Sequence, residues 1–165
     1  MLIMNIEALR VSEVMTRDVV TLDRNERLIH ADDVMRLGRI RHLPITDSDG
    51  TLVGIISQRD LFHSGLVQAL GYGTHAQRKA LDMVVVKEAM TSEVHTIAPD
   101  ALLSAAAAIM LERKIGCLIV IENQKIAGIL TESDFVKLAL PAPAVALAHE
   151  ANQPRLEAGS CCKTS

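Results

Sequence analysis

The stretch VSEVMTRDVVTL at residues 11–22 returns as VKEAMTSEVHTI at residues 86–97, an offset of 75. Identities at that offset continue through Leu28 and Leu103, Ala31 and Ala106, Met35 and Met110, Ile40 and Ile115, and Leu43 and Leu118. A one-residue shortening in a turn changes the offset to 74, which pairs Gly54 with Gly128, Ile55 with Ile129 and Asp60 with Asp134. Self-similarity of this kind marks one supersecondary unit written twice. Each copy has too little sheet to bury both faces alone, so the chain reads as two half-sized units that pack on one another. The division is residues 1–10 as an N-terminal segment, 11–66 and 86–140 as the repeats, 67–85 as a linker with a helical piece, and 141–165 as a flexible tail.

Within each copy a short amphipathic turn ending at Met-Thr leads into a strand, residues 19–22 or 94–97, and a charged or Pro-Asp turn then opens a helix. The first helix, residues 26–37, sets Leu28, Ala31, Val34 and Met35 on one face at three-and-four spacing. Its counterpart spans residues 100–114. Two β-rich runs follow in each copy, 42–46 with 52–56 and 117–121 with 125–130, joined by turns at 47–51 and 122–124; Asp49-Gly50 is a strong hairpin signal. A second helix opens at Ser57 or Thr131 and ends near Gly65 or before Pro141. The order β-α-β-β-α, twice, predicts an α/β fold. Residues 101–113, with four consecutive alanines, are apolar nearly all round. A helix there is expected to be buried on more than one side, either as a two-sided core helix or also in a subunit contact. A further short helix is compatible with residues 145–150.

Composition narrows the function classes. Phe62, Tyr72 and Phe135 are the only aromatics and there is no Trp, which argues against base-stacking platforms for RNA or single-stranded DNA. The 17 basic and 20 acidic residues are interspersed, for a net charge of −3. That distribution gives no footprint for duplex DNA or an anionic membrane. Without a basic-then-apolar leader or a run of about 18 apolar residues, a cytoplasmic protein is expected. Cys117 and the adjacent Cys161 and Cys162 fit neither a disulfide framework nor a zinc site. No metalloprotease, nucleophile-elbow or Walker motif is present, so no catalytic residue and no metal ligand is expected.

The residues with chemical promise cluster at the second helix of each copy. Ser57-Gln58-Arg59-Asp60 and Thr131-Glu132-Ser133-Asp134 each follow a Gly-hydrophobic-hydrophobic strand end. Each reads two ways. Ser or Thr with an acid three residues on is a capping-box variant that needs no ligand; a helix start after a strand also attracts phosphate, with the Asp beside it for ribose hydroxyls. Arg41 and His42, between helix and strand, either complement a helix C-terminus or neutralise a bound phosphate. The second copy has Gly116, Cys117 and Ile119 where the first has Arg41, His42 and Pro44, so two sites of this kind would not be equivalent.

The doubled pattern, with Met-Thr before each first strand, Arg-His-Leu-Pro-Ile-x-Asp, Gly-Ile-Ile-Ser-x-x-Asp and Gly-Ile-Leu-Thr-x-x-Asp, strongly resembles a tandem pair of cystathionine β-synthase (CBS) domains, a Bateman module. The resemblance covers residues 11–140. It implies two repeats related by a pseudo-two-fold axis, sheets packed face to face, and clefts for adenine-containing ligands such as AMP, ADP, ATP, S-adenosylmethionine or NAD, none of them an obligatory cofactor. By position, Ser57 and Asp60 would serve phosphate and ribose in a first cleft lined by Thr21, Arg41, His42 and Pro44. Thr131 and Asp134 would do so in a second, with Thr96, Gly116 and Cys117. The resemblance further implies a homodimeric, non-enzymatic regulatory module that senses adenylate and signals to an effector protein; the alternatives are a ligand-independent interaction scaffold and, third, a nucleotide-acting enzyme.

Overall fold

Leu28, Ala31 and Met35 recur at three-and-four spacing and lie on the buried side of one helix; Leu103, Ala106 and Met110 do the same in the second repeat. Around them the computed structural model, which describes residues 8–63 and 74–140, builds the same succession twice. The first repeat runs α1 (Val11–Val14), β1 (Leu22–Asp23), α2 (Leu28–Gly38), β2 (His42–Thr46), β3 (Leu52–Ser57) and α3 (Gln58–His63). After α4 (Thr74–Met83), the second runs α5 (Val86–Ala89), β4 (Thr96–Ile97), α6 (Leu103–Arg113), β5 (Cys117–Glu122), β6 (Lys125–Thr131) and α7 (Glu132–Leu138). Each repeat contributes one three-stranded sheet, in order β1-β2-β3 or β4-β5-β6, parallel at the first pairing and antiparallel at the second. The α/β class is as the sequence pattern predicts.

The hairpins fall where expected, and Asn123 and Gln124 both take positive φ, 50° and 64°, as a two-residue turn matched to strand twist requires. The first strands are shorter and later than 19–22 and 94–97. Only Leu22–Asp23 and Thr96–Ile97 pair, because Val19 and Val94 are spent packing against the cluster between the sheets. The main helices also begin later than residues 26 and 100. Leu28 N donates to Val84 O and Leu103 N to Leu9 O, so chain from elsewhere occupies the amides where an extra turn would form. The expectation that residues 101–113 are buried on more than one side is not met within the chain. Leu103, Ala106 and Met110 are buried while Ala105, Ala108 and Leu111 are exposed, Leu111 at 79%. The helix compatible with residues 145–150 lies outside the described residues.

The repeats exchange their opening segments, which periodicity does not reveal. Val11 N donates to Ala101 O and Ser12 N to Pro99 O, while Val86 N donates to Glu26 O and Lys87 N to Arg24 O. Thr16 bridges to Ile129 in β6, and Thr91 bridges to Ile55 in β3. Val11 and Met15 accordingly complete the core of the second repeat with Leu103, Leu118, Val120 and Leu130. Val86 completes that of the first with Leu28, Leu43, Ile45 and Ile56. A third cluster, Cys117, Ile119 and Ile129 with Ile55 and Leu52 against them, joins the two sheets. This reciprocity is the pseudo-two-fold relation that the repeats imply.

The paired glycines explain the paired methionines. A Cβ on Gly54 would lie 2.5 Å from Met90 Sδ and 3.1 Å from Thr91 O; one on Gly128 would lie 2.5 Å from Met15 Sδ and 3.0 Å from Thr16 O. Each Met-Thr thus seats on a bare strand position of the other repeat. Between the repeats, α4 is tied to α2 by a two-pronged bond, Arg78 Nη1 to Asp33 Oδ1 at 2.8 Å and Nη2 to Oδ2 at 3.1 Å. The hydrogen bonds from Arg78, and next from Arg36, hold the Asp33 carboxyl well below the usual carboxylate range.

Candidate ligand cleft

The turn from β3 into α3 is closed by its own side chains. Ser57 N and Ser57 Oγ both donate to Asp60 Oδ2 at 2.7 Å, and Asp60 N donates to Ser57 Oγ at 3.3 Å. Gln58 N is held by Arg41 O at 2.8 Å. With these amides occupied, the start of α3 is no ready anion trap, and a phosphate nearby would have to be met by side chains. The capping and ligand readings of Ser57 and Asp60 are compatible, since Asp60 Oδ1 takes no part in those bonds and Asp60 lines a cavity of about 740 Å³.

That cavity straddles the pseudo-two-fold axis. Three residues of the first repeat line it together with their repeat mates: Arg41 with Gly116, His42 with Cys117, and Gln58 with Glu132. A Cβ on Gly116 would stand 3.2 Å from His42 Nε2 and Cε1, so the loss of a side chain there is what lets His42 approach. At these three paired positions the cleft is lopsided, with Arg41, His42 and Gln58 on one side facing Gly116, Cys117 and Glu132 on the other, while Asp60 of the first repeat and Lys114 of the second add an acid and a base to the lining. Ile55, Val94 and Ile115 supply its apolar lining, and no Phe, Tyr or Trp is among the lining residues.

Of the residues expected in two clefts, Arg41, His42, Ser57, Asp60, Gly116 and Cys117 line this one. The other five are not among its lining residues. Thr21 is exposed ahead of β1, Pro44 is buried in β2 opposite Ile55, and Thr96 is exposed in β4 opposite Ile119. Asp134 is 2% exposed and saturated: its Oδ2 accepts from Thr131 N and Oγ1, and its Oδ1 from Lys137 Nζ, all at 2.8 Å. The two Ser/Thr-x-x-Asp motifs therefore share a cap and differ in what the Asp has left to offer. Sequence reasoning missed Arg59, Thr91, Glu93, His95 and Lys114. Thr91, Glu93 and His95 arrive through the exchanged opening segment, for which the unexplained recurrence of Met-Thr and Gly was the available signal.

Burial, and after it Arg41 and Arg59, push the His42 imidazole below its ordinary value, against the opposing pull of Glu132 and Asp60. That direction favours the neutral imidazole at pH 7. Burial, with Glu132 beside it, pushes the Cys117 thiol up to about 12, so it stays protonated and is unsuited to nucleophilic work. Among the described residues, no group of three His, Cys, Asp or Glu side chains is placed to hold a metal ion. No helix among them is long and apolar enough to cross a membrane.

The model of the CBS domain family matches residues 11–66 and 86–140. The chain belongs to the CBS domain family. As a tandem CBS pair it is a regulatory module by family. Among solved structures this CBS pair is similar to the AcuB protein of Vibrio cholerae, at 35% identity and a TM-score of 0.66, covering 88% of this chain and 98% of that one. It is also similar to the CBS domain pair of protein MJ0100, solved in complex with 5′-methylthioadenosine and S-adenosyl-L-methionine, at 26% identity and a TM-score of 0.64, covering 80% and 96%. A curated relative, the homoserine O-acetyltransferase of Methanohalobium evestigatum, is 30% identical over 129 residues, 78% of this chain. The CBS pair spans only 24% of that enzyme's length.

Proposed function

We propose that the CBS pair binds one adenine-containing ligand in the axial cleft and reports its presence to an effector protein, without catalysing a reaction. The observation that carries the reading is the cleft's double parentage: Ser57 and Asp60 come from one repeat, Thr91, Gly116 and Cys117 from the other. A ligand seated there touches both repeats, so it favours one relative arrangement of them, and differential affinity is what allows binding to act as a signal. Asp60 would take the ribose hydroxyls, Arg41 a phosphate, and Ile55, Val94 and Ile115 the adenine faces. The ligands bound by the MJ0100 pair support an adenosyl group, and the setting is cytoplasmic. Calorimetric titration with AMP, ATP, S-adenosylmethionine and NAD is expected to give saturable binding to at least one. No heat from any of the four, with the protein folded, would leave the scaffold reading in its place.

A phosphate drawn against neutral His42 would stabilise its protonated form. Affinity for a phosphorylated ligand should therefore rise as pH falls from 8 to 6, with proton uptake measured by titration in buffers of different ionisation heat. His42→Gln should flatten that dependence, and adenosine should show none. The same depressed imidazole means that its contribution to folding is present above the unfolded histidine value and lost as pH falls through the folded one.

Homodimerisation, the remaining element of the proposal, fits the exposed apolar surface of Ala105, Ala108 and Leu111 on α6, with Val136 of α7 at 64% exposure. Small residues there let another helix approach closely. Leu111→Asp should convert the dimer to a monomer in light scattering; an unchanged mass would assign the contact elsewhere.

A further inference from the structure

A second groove, of about 460 Å³, lies between the C-terminal turn of α2 and α3, and it meets the axial cleft at Arg41 and Gln58, which line both. Arg36 and Arg39 also line it, so three arginines border the groove, only one of which, Arg41, is shared with the cleft. Asp32 is the one acidic residue in that lining. It lies 4.0 Å from Arg78, whose main bond to Asp33 occupies the neighbouring carboxylate. Arg36 spends one nitrogen on Asp33 Oδ1 at 2.9 Å. Among the described residues neither Arg39 nor Arg41 has a side-chain hydrogen bond or ion pair. Arg39 is exposed and takes a left-handed backbone, φ 51°, at the end of α2. Arg39 and Arg41 thus border one groove without a side-chain counter-ion of their own, and the fork geometry of arginine suits phosphate oxygens.

We infer that this groove is a subsite for the second and third phosphates of a nucleotide whose adenosine occupies the cleft, making the preferred ligand an adenosine polyphosphate. The inference rests on the proposed cleft function and deepens it. The first phosphate reaches Arg41 at the junction, and the chain continues over Gln58 toward Arg39 and Arg36. A monophosphate or a sulfonium ligand leaves the groove empty. The repeat mates of Arg36 and Arg39, Leu111 and Lys114, do not reproduce the arginines, so the preference is built into one side of the molecule.

The test is calorimetry with adenosine, AMP, ADP and ATP in Mg²⁺-free buffer, on the native chain and on Arg36→Gln/Arg39→Asn, where Asn tolerates the left-handed backbone. ATP is expected to bind about tenfold tighter than AMP, with ADP between them. The double variant should bring ATP down to the AMP value and leave AMP unchanged. Raising salt should weaken ATP more steeply than AMP, a comparison within the native chain that needs no variant. Equal affinity for AMP and ATP, or a variant that keeps the native ratio, overturns the polyphosphate subsite while the cleft reading stands. Absence of binding by all four ligands to folded protein overturns the subsite, and the cleft reading falls with it only if S-adenosylmethionine and NAD give no heat either.

Discussion

Gly54→Ala should lower stability by about 1–3 kcal/mol in urea denaturation, the range for forcing extra volume into a packed site. The loss should couple to Met90 and not to Met15. The added methyl would meet Met90 Sδ at 2.5 Å, and the Thr91 carbonyl behind it at 3.1 Å limits how far the strand can give. In a double-mutant cycle, Gly54→Ala with Met90→Ala is expected to be more stable than the sum of the single effects by about 1 kcal/mol. Gly54→Ala with Met15→Ala should simply add. Gly128→Ala reverses the assignment, coupling to Met15 alone. Coupling of Gly54 to Met15 would mean that each opening segment packs on its own repeat, contrary to the exchange.

Asp60→Ala and Asp134→Ala are expected to fail in different ways, although the two residues are repeat mates. Asp60 caps α3 through one oxygen and lines the cleft, so its removal should weaken ribonucleotide binding tenfold or more while costing about 1 kcal/mol of stability as a lost cap. Asp134 is buried, holds Thr131 through two hydrogen bonds and neutralises Lys137. Its removal should cost about 2–3 kcal/mol, leave the Thr131 amide short of a partner, and spare ligand affinity once the protein is held below its melting range. Equal affinity losses would place a ribose at both motifs and refute the single axial cleft.

The repeat, the hairpins and the core faces of α2 and α6 were legible in the sequence because they follow from local periodicity. Leu28, Ala31 and Met35 need no partner's identity to be read as one face. The short first strands were misjudged because Val19 and Val94 look like strand residues whether they pair in a ladder or pack between sheets. The composition of the cleft was half legible. Ser57, Asp60, Arg41 and His42 announce themselves by type and place, and Gly116 with Cys117 could be located by register. That these last two face Arg41 and His42 across one cavity is a consequence of three-dimensional symmetry that no local window contains. The same holds for Thr91, Glu93 and His95, which reach the cleft only because their segment crosses to the other repeat. The charge state of His42 depends on burial, which a turn position does not specify.

The crossing of residues 11–16 and 86–91 bears on how the chain acquires its structure during synthesis. When residue 63 has left the ribosome, β1, β2 and β3 are all translated, yet the strip that seals β3 has not been made. Its residues, Val86 through Thr91, come at least 23 positions later, while Val11 and Met15 wait for a sheet that ends at Thr131. Nascent chains halted before residue 86 should therefore remain protease-sensitive throughout, and protection of both repeats should appear together after the second sheet emerges. Joining the two repeats in one polypeptide thus fixes their stoichiometry at one to one, since neither can complete its interior except with the opening turn of the other.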